Sequence, residues 1–92
     1  MRSHAKKDAN HVQVVTQLRK IGATVLDIAV LKNCCDIAVG YHGKNYLFEI
    51  KDPEKTPSQK KLTEGEVGFH ESWRGQVNVI ETIDDAMKIM GC

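Results

Sequence analysis

Ninety-two residues, 41% hydrophobic and 27% charged, make one small domain with a modest core and exclude a disordered chain. A net charge of +1 gives no bulk attraction to nucleic acid, so any basic surface must be local. No apolar run nears a membrane span, the first residues lack a signal-peptide core, and three cysteines without CxxC or His-x-x-x-His spacing suggest no zinc site, which points to a reduced, cytosolic setting.

Residues 1–7 are polar and basic and read as a flexible arm, leaving 8–92 as the domain. From Asp8 to Ile21 the apolar residues Val12, Val15, Leu18 and Ile21, with Val14 beside them, recur at helical steps. Asp8 or Asn10 caps this helix and Gly22 closes it. The β-branched run 23–30 reads as a strand, and Lys32-Asn33 as a loop. Two further strands, 35–41 and 45–51, fold back on each other through His42, Gly43 and Lys44, and Asp52-Pro53 stops the second. Residues 52–61, with two prolines and Lys55, Lys60 and Lys61, form a connector. Thr63 and Glu66 have capping-box spacing and open a helix carrying Val67, Phe69, His70 and Trp73, which Arg74-Gly75 ends. A fourth strand at 76–80 precedes a last helix opened by Thr82 and Asp85. The expected class is α/β, in the order α-β-β-β-α-β-α, with a four-stranded mixed sheet flanked by helices.

Alternation along the hairpin assigns its two faces. Ile37 and Val39 share the core face with Tyr46, Phe48 and Ile50, while Asp36, Ala38 and Gly40 share the other with Leu47, Glu49 and Lys51. A two-residue turn sets Asp36 opposite Glu49; a longer one sets it opposite Lys51. Either register crowds two carboxylates and an ammonium together, an arrangement that a divalent cation compensates. Magnesium needs only one or two carboxylates, which Asp36 and Glu49 can supply, with the Ile50 carbonyl between Glu49 and Lys51. Lys51 can orient a water or neutralise growing negative charge. This division of labour suits phosphodiester hydrolysis; the plainer alternative is a charged hairpin surface.

Asp36, then Glu49 thirteen residues on, then Lys51, within this element order, resembles the PD-(D/E)XK (restriction-endonuclease-like) nuclease superfamily. The text of 35–41 and 47–52, and the later Lys61-Leu62-Thr63, Phe69-His70 and Trp73-Arg74-Gly75, is similar to small phage and prophage nucleases of the VRR-NUC type. The resemblance covers about residues 8–90. It implies that Asp36 and Glu49 hold magnesium or manganese, that Lys51 is the catalytic lysine, that the substrate is DNA, and that a homodimer acts on branched DNA in the manner of a Holliday-junction resolvase. Cys35 stands where the motif's proline would be. Relatives commonly place a glutamate in helix one, a region that here reads Asn10-His11-Val12-Gln13; His11 or Gln13 is left to contact the metal or its waters.

Lys55, Lys60 and Lys61, and more weakly Lys44, Arg2, Lys6 and Lys7, are candidates for DNA phosphates, with a solvated surface as the alternative. Trp73 is expected in the core, His70 on a helix surface, and Cys34 and Cys35 as small buried apolar groups. A domain this small has few surfaces for reading base sequence, which favours structured DNA as substrate. The expectation is thus a metal-dependent endonuclease, the alternative a non-catalytic nucleic-acid-binding protein that keeps the fold.

Overall fold

Residues 7–92 are described by the structure, a computed structural model. Seven elements follow in the expected order: α1 (His11–Lys20), β1 (Thr24–Asp27), β2 (Ile37–Tyr41), β3 (Lys44–Ile50), α2 (Glu64–Ser72), β4 (Asn78–Ile80) and α3 (Ile83–Met90). The four strands lie side by side in sequence order, β1–β2 and β2–β3 antiparallel and β3–β4 parallel. The sheet is therefore mixed, and the fold class is α/β.

The hairpin sets the frame. His42 and Gly43 both take positive φ (50° and 79°), as a two-residue turn of type I′ requires. Ile37 then pairs with Phe48 and Val39 with Tyr46, the register that sets Asp36 opposite Glu49 one step further along. Ile37, Val39, Phe48 and Ile50 are fully buried, and Tyr46 packs at their margin. Val25 from β1 and Ile80 from β4 extend this face, which Val14, Val15 and Leu18 of α1 and Ala86 and Met90 of α3 cover.

Helix α1 keeps the expected period but is rotated by one residue. Its buried stripe is His11, Val14, Val15 and Leu18, while Val12 is 71% exposed. Asp8 lies before the helix. Asn10 takes the cap position, but its side chain makes no cap bond; Nδ2 donates instead to the carbonyls of Lys51 (3.0 Å) and Glu81 (2.8 Å). That single amide ties the ends of β3 and β4 to the start of α1.

Three strands are shorter than the expected 23–30, 35–41 and 76–80, β2 beginning only at Ile37, and β3 is shifted by one residue from 45–51. β1 stops at Asp27 because Asp27 Oδ1 accepts from Ala29 N, an Asx turn that bends the chain away. β4 starts only at Asn78 because Gln76 pairs by its side chain: its amide accepts from Leu47 N (2.8 Å) and donates to Leu47 O (2.7 Å). Both capping boxes form, Thr63 with Glu66 and Thr82 with Asp85. Gly91 closes α3 at φ 83°, where the Cys92 amide reaches Met87 O.

Helix α2 differs from expectation. It buries no residue, and Trp73 is not core but 45% exposed, stacked on Phe69 with ring centres 5.3 Å apart. With Gly65 and Gly68 among its nine residues, α2 offers too little apolar surface to pack on the sheet. Helical cover of the core face thus comes from α1 and α3. Among the described residues no helix is long and apolar enough to cross a membrane. Residues 1–6 of the arm expected at 1–7, with Arg2 and Lys6, lie outside the described residues.

Candidate active site

β2 and β3 part where their pairing ends, and Asp36 occupies the gap. Ile50 N, beyond the last paired residue, donates to Asp36 Oδ2 at 2.7 Å, so the carboxylate replaces a ladder bond and is fixed in place. Glu49 lies across from it, only 2% exposed although ionisable. Its Oε1 is buried without a hydrogen-bond partner, and its Oε2 stands 3.8 Å from Lys51 Nζ. Burial first, then the neighbouring carboxyl groups of Asp36 and Glu66, push the Glu49 acid up to about 10. A buried carboxyl among carboxyls, with an oxygen left unpaired, is costly in the metal-free chain.

Lys51 is held from α2. Its Nζ donates to Glu66 Oε1 at 3.0 Å, closer than its approach to Glu49. The same Oε1 accepts the Thr63 amide at 2.8 Å, closing the capping box. Burial acts to raise Glu66, but the Thr63 amide and Lys51 outweigh it and hold that carboxyl below its ordinary range. The sequence signal for Glu66 was present, but it reads as a helix cap, and its reach into the site is visible only once α2 is placed.

These groups line a cleft of about 720 Å³. One wall is the turn after β1, with Val30, Leu31 and Lys32; the other is the connector, with Lys55, Gln59 and Lys61. Of the five described lysines expected at DNA phosphates, Lys7, Lys44, Lys55, Lys60 and Lys61, only Lys55 and Lys61 face this cleft. Lys55 is paired with Asp8 at 2.6 Å, which raises its pKa. Lys60 instead pairs with Glu81 at 2.8 Å and does not line the cleft. Lys44 sits beside the hairpin turn, five residues along β3 from Glu49 and so about 17 Å away.

The helix-one candidates do not reach the site. His11 is buried with Nε2 3.4 Å from Asp27 Oδ2, and Gln13 is exposed; neither lines the cleft. The rotation of α1 that buries His11 in its apolar stripe is the cause. The acid that this end of the chain does bring to the cleft is Asp8, from the residues before the helix. Lys7, counted with the arm, pairs with Asp27. Cys35 is buried and its thiol is pushed up to about 12, first by burial, which leaves it protonated and no nucleophile. His70 is half-buried on α2, away from the cleft.

Among the described residues no three His, Cys, Asp or Glu side chains are gathered as a metal cage. Magnesium does not require one, since it keeps several of its waters and takes one or two carboxylates. The crowded pair Asp36–Glu49, with one oxygen unpaired, fits that donor set. Compared with family models, with curated proteins and with solved structures, the chain matches none.

Proposed function

We propose that this chain is a metal-dependent DNA endonuclease with a restriction-endonuclease-like core, of the small phage or prophage type, acting on branched or otherwise structured DNA. The observation that carries the reading is the convergence of Asp36, Glu49 and Lys51 at one end of the hairpin, with Glu49 buried, unpaired at Oε1 and facing an open cleft. Asp36 and Glu49 would hold magnesium or manganese, with the Ile50 backbone beside them; when bound, the ion supplies an activated water and stabilises charge on the phosphoryl group. Asp36 brings a preset carboxylate, because Ile50 N fixes its rotamer. Lys51, a cation and so no ligand, is placed to donate to the scissile phosphate or to orient the attacking water. Lys55 and Lys61 on the cleft wall, with Lys32 opposite, suit the phosphates on either side. Two copies acting together would join two single-strand cuts into one cleavage of a junction.

A second reading, a nucleic-acid-binding protein that keeps the fold without the chemistry, is favoured by one observation: no side chain of α1 enters the cleft. Incubating the protein with linear, flapped and four-way DNA, with magnesium or manganese and with chelator, separates the two. The nuclease reading expects cation-dependent cuts that Asp36→Asn abolishes. DNA binding without cleavage under every cation condition would leave the second reading standing.

A further inference from the structure

A capping-box glutamate ordinarily needs nothing beyond its own first turn. Glu66 does more. Its side chain is only 22% exposed, it lines the cleft, and its capping oxygen also receives Lys51 Nζ. Lysine carries a hydrated point charge on a flexible stem. Left alone beside Asp36 and Glu49, that ammonium would settle on the carboxylates and fill the place a cation needs. In the structure it does not: Nζ stands 3.0 Å from Glu66 and 3.8 Å from Glu49, whose Oε1 stays unpaired. The Glu66 side chain is itself anchored, since its Oε1 accepts the Thr63 backbone amide.

We propose that Glu66 is a positioning residue that draws Lys51 to the α2 side of the cleft, keeping Glu49 open for a divalent cation and the ammonium aligned for the scissile phosphate. The proposal rests on the nuclease reading above. It also accounts for α2, because a helix that buries nothing is held to the sheet side of the cleft by the same contact that sets the lysine.

Glutamine makes a clean test, because its carbonyl oxygen still accepts the Thr63 amide, so Glu66→Gln keeps the cap and loses the ion pair. Thr63→Ala removes the hydroxyl half of the cap and leaves the backbone amide on Glu66 Oε1, and with it the ion pair, in place. With manganese and the best DNA substrate, Glu66→Gln should lower kcat at least about tenfold with KM nearly unchanged, as expected for lost alignment. Its manganese affinity, measured by calorimetry, should stay within about threefold of wild type, because an intact pair of ligands remains. Thr63→Ala should lower the melting temperature and cut at close to the wild-type rate. Wild-type cleavage by Glu66→Gln would reduce Glu66 to a cap, and a manganese affinity reduced more than about tenfold would tie it to holding the ion, directly or through a ligand, rather than to setting the lysine; either overturns the proposal. If the wild-type protein cuts no DNA, the nuclease reading falls, and thermal melts in chelator decide whether Glu66 holds Lys51. Melting shifts of Glu66→Gln and Lys51→Met that fail to add in the double variant support the pairing, and strictly additive shifts overturn it.

Discussion

Replacing Glu49 with glutamine should stabilise the metal-free protein, and more so as pH rises. In the unfolded chain this carboxyl titrates near 4.5; in the fold it is pushed up to about 10, by burial first and then by Asp36 and Glu66. Between those values the folded chain retains a proton that the unfolded chain has released, so the unfolded state binds fewer protons and stability falls as pH rises. At about pH 7.5 the gap from the unfolded value is about three pH units, an upper bound of about 4 kcal/mol at 1.36 kcal/mol per unit. The cleft opens to water, which screens part of that cost, so about 2 kcal/mol is the figure to test. For a domain of this size that is about 8 °C or more in melting temperature. Glutamine keeps the shape, cannot ionise, and can donate its amide to Asp36 or Glu66. Thermal melts in chelator at pH values from about 5 to 9 are the assay. The gain from Glu49→Gln should be smallest at the acid end, nearest the range in which the unfolded carboxyl itself titrates, and should grow steadily above it. A loss of stability at all pH values would mean that Glu49 is an ionised structural partner of Lys51, and the account of a strained site would fail.

Lys51→Ala should lower cleavage on the order of a hundredfold or more while metal and DNA affinity stay close to wild type; a parallel fall in affinity and rate would make Lys51 a phosphate-binding lysine. Asn10→Ala removes two hydrogen bonds that tie β3 and β4 to α1, a loss of about 2 kcal/mol in denaturant melts, and unchanged stability would show the tie to be idle. Phe48→Ala empties a fully buried core position and should cost about 3–5 kcal/mol, whereas Trp73→Ser, at an exposed helix end, should cost less than about 1 kcal/mol. A Trp73 cost as large as that of Phe48 would return it to the core.

The hairpin was legible because strict alternation on both strands flanks a tight link through His42, Gly43 and Lys44. The register was not: two turn lengths stayed open in the sequence, and the positive φ taken by both His42 and Gly43 is what sets Asp36 opposite Glu49. Both later helices were legible for the same kind of reason, since a capping box is closed by residues three apart. What escaped the sequence was long-range. Asn10 has the composition of a helix cap, and only the meeting of β3 and β4 at its side chain shows that it bridges strands. Gln76 reads as the first strand residue, and only the structure shows that it pairs with Leu47 through its side-chain amide instead of its backbone. α1 keeps its period but turns by one residue, because His11 takes a core position that the apolar pattern assigned to Val12. Glu66 hid behind a signal already explained by the cap, and Asp8 behind its place before the helix.

Calorimetric titration of magnesium and manganese into the wild-type protein and Asp36→Asn, repeated in two buffers of different ionisation heat, tests the cation site directly. Because the fold keeps Glu49 protonated near neutral pH, binding should release about one proton per ion as the carboxyl becomes a ligand. One site in the wild type, that proton release, and sharply weakened binding in Asp36→Asn are the expected results. Equal binding by both proteins, or binding without proton release, would place the ion away from Asp36 and Glu49 and contradict the account.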